Sequence, residues 1–83
     1  MDFRVYVIVE IPILDMKYEL LIPSDRRIHN IIKVLQKAIP ELTEGYYKEK
    51  IPNMYNKSSG KIYGMNEIIE NSDIKMGTRL VLI

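Results

Sequence analysis

Between Phe3 and Ile11 apolar side chains recur at every second position. Phe3, Val5, Val7, Val9 and Ile11 share one face; Arg4, Tyr6, Ile8 and Glu10 share the other. A period of two with one continuously apolar face predicts a strand with one side on the core. Pro12 has no amide to give to a ladder and ends the strand. Alternation resumes from Met16 to Ile22, with Tyr18, Leu20 and Ile22 opposite Lys17, Glu19 and Leu21. Residues 3–22 therefore read as an antiparallel hairpin.

The period then changes. Pro23-Ser24-Asp25 breaks the hairpin and offers side-chain oxygens to cap a helix. Ile28, Ile31, Ile32, Leu35, Ala38 and Ile39 follow at helical spacing, with His29, Asn30, Lys33, Gln36 and Lys37 on the other side. One such stripe suits a helix lying across a sheet. Pro40 stops that helix or opens a short second one. Residues 41–50 have no clean period and read as a connecting loop with at most one helical turn. A third strand is expected over Ile51 to Tyr55. A turn through Asn56-Lys57-Ser58-Ser59-Gly60 and a very short strand at Lys61 to Tyr63 should follow. Asn66 is positioned to cap a single turn through Ile69, and Thr78 to Ile83 forms the last strand. In that strand Leu80 and Leu82 oppose Arg79, Val81 and Ile83. The order is β-β-α-β-β-β, without repeats or low-complexity tracts.

Composition narrows the chemistry. A chain of 83 residues holds one domain, residues 1–83, with one modest core. A formal charge of +1 is too small to imply capture by nucleic acid or an anionic membrane. The absence of cysteine excludes disulfides, thiolate catalysis and cysteine-ligated metals. Asp2 after Met1 and the short apolar run Val5 to Val9 do not make a secretory signal. No stretch approaches the ~20 apolar residues of a spanning helix, so no direct membrane insertion is expected. The expected location is cytoplasmic.

Candidate sites are few. His29 is the lone histidine; a Ser-His-Asp arrangement would require Asp25 or Asp73 and one of Ser24, Ser58, Ser59 or Ser72 to converge on it. Capping explains Ser24 and Asp25 better. One histidine among scattered carboxylates is not a metal-ligand set, and Gly60 and Gly64 lack phosphate-loop spacing. No enzyme activity, metal or cofactor is expected. Arg26, Arg27, Lys33 and Lys37 read as a solvated helix face, and Glu41, Glu44 and Glu49 interrupt the lysines near Lys48, Lys50, Lys57 and Lys61. No nucleic-acid partner is expected.

Pro23-Ser24-Asp25 followed by Ile28, Asn30 and Gln36 looks like the strand-to-helix junction of ubiquitin, with one extra residue between cap and helix. Leu80-Val81-Leu82 looks like ubiquitin's final strand. Over nearly the whole chain the element order resembles the ubiquitin-like β-grasp superfamily. The fold implied is α+β, a mixed sheet of four to five strands packed on one main helix. The Lys57-Ser58-Ser59-Gly60-Lys61-Ile62 turn and the Gly77 to Ile83 close are similar to small bacterial proteins of the YukD/EsaB type. That resemblance implies a non-catalytic cytosolic accessory or regulator of type VII secretion, with a protein partner such as a membrane secretion component. Ubiquitin and the sulfur carriers act through a flexible Gly-Gly tail, whereas this sequence reads Arg79-Leu80-Val81-Leu82-Ile83 at its close. Carrier chemistry of the sulfur-transfer or conjugation type is thus the disfavoured alternative.

The β-grasp resemblance also implies a docking surface. It makes the first and last strands parallel neighbours, with the third strand beside the last. Tyr6 and Ile8 then adjoin Val81 and Ile83 on the face away from the helix, with Met54 or Tyr55 at the side. Val81 matches an exposed valine of ubiquitin's recognition patch. Contiguous exposed apolar residues mark interaction sites. The competing expectation is that loop 41–50 folds over that face. Ile13 or Leu14 at the hairpin tip stands where ubiquitin presents a leucine to partners, unless it tucks beneath the helix end. Tyr46 and Tyr47 are either interface anchors or pins for the long loop.

Overall fold

The computed structural model describes residues 3–83. β1 (Arg4–Ile11) and β2 (Met16–Pro23) form an antiparallel hairpin in which Arg4 faces Pro23 and Ile11 faces Met16. α1 (Ile28–Ala38) follows, then β3 (Met54–Asn56) and β4 (Thr78–Leu82). The four strands are ordered β2-β1-β4-β3, with β4 parallel to β1 and antiparallel to β3. The mixed sheet on one helix is the expected β-grasp arrangement.

Strand parity follows the alternation. Val7, Val9, Ile11, Leu80 and Leu82 are buried on the inner face. Ile28, Ile31, Ile32 and Leu35 of α1 complete the core from the other side. Each such burial contributes about 1.5–3 kcal/mol. Packing of this kind is what stabilises a helix of 11 residues, which is too short to persist alone in water.

Four local expectations are corrected. Ser24 and Asp25 do not cap α1, because Ser24 is drawn back to the sheet. Its amide and hydroxyl both donate to the Phe3 carbonyl, at 2.7 and 3.0 Å. The first helical amides are satisfied from a distant segment instead. Ile28 N–H donates to the Glu67 carbonyl at 2.9 Å, and His29 N–H to that of Met65 at 3.0 Å. That docking leaves a turn at Met65 and Asn66, closed by Glu67 N–H to the Gly64 carbonyl at 3.1 Å, with Arg27 bridged to Ile68. Asn66 therefore caps nothing, and the short 3-10 turn comes later, at Ile69–Asn71. The expected strand at Lys61 to Tyr63 is reduced to one bridge between Tyr55 and Ile62. Ala38, placed in the helix stripe, is exposed, and α1 stops one residue short of buried Ile39.

Residues 40–50 are more ordered than their aperiodic sequence suggests. Pro40 opens a 3-10 turn over Pro40–Thr43, and a second covers Gly45–Tyr47. These turns drop Leu42 and Tyr47 into the core, and the Tyr47 hydroxyl donates to the Leu82 carbonyl at 3.3 Å. Tyr47 is a pin for the loop, while Tyr46 stays exposed with the Lys50 ammonium 4.2 Å above its ring. The segment closes the core through Leu42 and Tyr47.

Candidate protein-docking surface

The outer face is built by the strand residues that the core does not use. Tyr6 lies directly opposite Leu21 on β2, and Ile8 lies between Glu19 on β2 and Arg79 on β4. Val81 lies between Glu10 on β1 and Tyr55 on β3. Tyr6, Ile8 and Val81 therefore share one face, with Ile83 next in the same alternation. Met54 is inward and buried; Tyr55 is the outer neighbour.

Exposure along that face is not as expected. Val81 retains only 3% of its accessible surface. An ion pair crosses the sheet on the same face. Lys57, following β3, reaches Glu10 of β1 with its ammonium 2.8 Å from one carboxylate oxygen and 3.1 Å from the other. β4 runs between those strands, so the pair spans its outer face where Val81 lies. The Lys57 hydrogen bond holds the Glu10 carboxyl below its usual range, against the partial burial that pushes it up. Val81 is thus corrected from a displayed side chain to one covered by its neighbours.

The expected group of four is divided by this bridge. Ile83 is exposed on one side and exchanges backbone hydrogen bonds with Asn53 at 2.9 Å. Tyr6 and Ile8, both half-buried, lie on the other side with two residues that sequence reasoning left out. Leu21 is 60% exposed beside Tyr6, and Met76 is 68% exposed with its sulfur accepting the Tyr6 N–H at 3.2 Å. The alternation had already placed Leu21 on this face. Met76 had no such signal, since it reaches the sheet through the turn in which Gly77 N–H donates to the Tyr6 carbonyl at 2.8 Å. Partial desolvation, aided by the neighbouring Glu19 carboxylate, pushes the Tyr6 phenol up. Tyr6, Ile8 and Leu21 thus share this face with Glu19 and Arg79, and Met76 stands at its border against the Tyr6 backbone.

At the hairpin tip the two candidates part. Ile13 is 53% exposed, whereas Leu14 is partly buried against the core. The 3-10 turn at Pro12–Leu14 and the left-handed Asp15 that ends it send these side chains in different directions.

Among the described residues no Ser-His-Asp arrangement assembles around His29. The depression it lines is shared with Ile32, Lys33, Gln36, Ile51 and Met65, which offer neither carboxylate nor hydroxyl. Ser24 serves Phe3, and the Asp73 carboxylate accepts from the Tyr63 hydroxyl. Among the described residues there is no group of three or more His, Asp or Glu that could hold a metal ion. No described helix is long and apolar enough to cross a membrane.

No family pattern and no curated relative matches this sequence. Solved structures do match its shape. The ubiquitin-like domain of an Arabidopsis thaliana protein aligns with a TM-score of 0.68 at 12% identity, over 96% of this chain and 76% of that one. The ubiquitin-like domain of Plasmodium falciparum Dsk2 aligns at 0.66 and 13% identity, over 96% and 99%. A chain of the toluene 4-monooxygenase HD complex with the inhibitor 4-bromobenzoate aligns at 0.77 with only 6% identity, covering 95% of each. Identities this low speak for the fold alone. Strand order, helix placement and these likenesses agree: the chain has the ubiquitin-like β-grasp fold.

Proposed function

We propose that this chain is a non-catalytic, single-domain ubiquitin-like interaction module that docks another protein through Tyr6, Ile8, Leu21 and Met76. The observation that supports this reading most is the exposure of Leu21 beside Tyr6 on the sheet face that the core does not need, with exposed Met76 against the Tyr6 amide. Exposed apolar side chains gathered in one place cost solubility and are characteristic of interaction sites. Glu19 and Arg79 supply a polar rim of both signs, which orients a partner more than it adds affinity. Ile13 is a secondary contact at the hairpin tip, and Ile83 extends the footprint beyond the Lys57–Glu10 pair.

The finer reading carries the YukD/EsaB resemblance forward: a cytosolic accessory of bacterial type VII secretion whose partner is a membrane secretion component. Both levels meet one experiment. Affinity capture from native lysate is compared for the wild type, Leu21→Asp and Met76→Asp after circular dichroism shows that all three fold. A protein held by the wild type and lost by both variants supports the docking face, and its identity decides the secretion reading. A partner held equally by all three removes this face as the site.

A further inference from the structure

β2 is an outermost strand of the sheet, so among the described residues one side of its backbone has no strand beside it. Which groups point outward follows from the hairpin. Ser24 N–H bonds inward to Phe3, so the even-numbered residues Ile22, Leu20 and Tyr18 pair with β1. Lys17, Glu19 and Leu21 then present their N–H and C=O groups to the open edge. Pro23, the next outward position, has no N–H to present.

Beside this edge runs an apolar groove of about 460 Å³ between β2 and α1. Leu20, Ile22, Leu35 and Val34 line it, and Val34 is 62% exposed. The inner side of the edge strand is apolar at every position: Met16, Tyr18, Leu20 and Ile22. A second strand laid along β2 would satisfy the edge and cover one lip of the groove.

We propose that this second strand is β2 of another copy of the same chain, paired antiparallel about a two-fold axis through Tyr18. Charge selects both the occupant and the register. With Tyr18 opposite its counterpart, Lys17 of each copy faces Glu19 of the other, and both belong to the outward set that exchanges backbone hydrogen bonds. On the inner side Met16 then faces Leu20. Shifting the register by two residues in one direction sets Glu19 against Glu19, and in the other Lys17 against Lys17. Both like-charge arrangements are unfavourable across a ladder. Shifts by one residue exchange the faces and set apolar side chains against charged ones.

The same pairing extends a charge alternation already present within one copy. Lys57 pairs with Glu10, and Glu10 lies opposite Lys17 on β2. Glu19 of the second copy is the next member, giving positive and negative side chains in turn across the joined outer face. An extended acidic segment of another protein, drawn to Arg26 and Lys33 on the groove rim, is the rival occupant.

Sedimentation equilibrium over about 10 μM to 1 mM, a range that resolves weak dimers, tests the pairing. The wild type should dimerise within it. Glu19→Lys sets lysine against lysine, and Lys17→Glu sets glutamate against glutamate. Each exposed substitution, checked by circular dichroism, should weaken association on the order of tenfold. An equimolar mixture of the two variants restores opposite charges at both pairs and should associate about as well as the wild type. In the wild type, Lys17 and Glu19 amide exchange should slow as concentration rises. A wild type that stays monomeric overturns the proposal and leaves the edge to a foreign segment. A mixture no tighter than either variant alone, or edge amides indifferent to concentration, overturns it as well. Met76→Asp, on the docking face, should leave this association unchanged.

Discussion

Replacing Val81 by aspartate discriminates sharply between two views of the outer face. Were Val81 displayed to solvent, Val81→Asp would behave like an ordinary surface change, within about 0.5 kcal/mol of wild type. At 3% exposure beneath the Lys57–Glu10 bridge it is not displayed. Losing the buried valine costs about 1.5–2 kcal/mol. Burying a polar carboxyl group without a designed partner adds at least about 1–3 kcal/mol, the cost of a neutral polar group. The new charge also lies directly opposite Glu10, competing for Lys57. The expected loss is about 3–5 kcal/mol, a large share of the ~5–15 kcal/mol that stabilises a domain. Urea unfolding followed by circular dichroism measures it, with Val81→Ala (about 1–2 kcal/mol expected) and Leu21→Asp (about 0.5 kcal/mol or less) beside it. A Val81→Asp midpoint matching that of Leu21→Asp, with unchanged slope, would refute the burial and return Val81 to the docking patch.

Other consequences follow from buried or strained groups. Tyr63 is buried, donates to Asp73 and accepts from the Asn56 amide at 3.2 Å; burial first, and the Asp73 bond next, push its phenol up to about 12. Its neutral form therefore stabilises the fold below the unfolded value of about 10. That contribution, about 3 kcal/mol at most, disappears as pH rises from about 10 to 12. Tyr63→Phe should cost about 1–2 kcal/mol at neutral pH and abolish this alkaline slope in pH-dependent urea unfolding. Glu10 has the opposite sign: its lowered titration stabilises the fold at neutral pH, and this is lost as pH falls through the lowered value. Lys57→Met should raise the Glu10 titration, read by side-chain NMR, and flatten the acid limb of the stability profile. Gly77 holds φ at +83° while donating to Tyr6, so Gly77→Ala should lower stability by about 1 kcal/mol in the same unfolding assay.

Sequence pattern carried the parts of this molecule that rest on neighbours in the chain. The alternation in β1 and β2 gave both faces of the hairpin, and the Ile28-Ile31-Ile32-Leu35 stripe gave the buried side of α1. What it missed rests on distant partners. Ser24 was assigned to the helix that follows, but it bonds to Phe3, 21 residues earlier. Val81 was placed on the correct face and the wrong depth; the Lys57–Glu10 pair on that face joins residues 47 apart that meet only in the folded sheet. Leu42 and Tyr47 reach the core through 3-10 turns too short to impose a period. Met76 joins the candidate surface through one turn and one sulfur contact, neither of which leaves a mark on hydrophobic patterning.

The docking face itself is tested most directly by a photo-crosslinking scan in living cells. A benzophenone side chain replaces Leu21, Met76, Val34, Ile13 or Tyr46, one position per variant, each exposed in the free chain. A discrete heterologous adduct is expected from Leu21 and Met76, a weaker one from Ile13, and none from Tyr46. Adducts from Val34 or Tyr46 with none from Leu21 and Met76 would contradict this and move the docking surface to the helix side of the molecule.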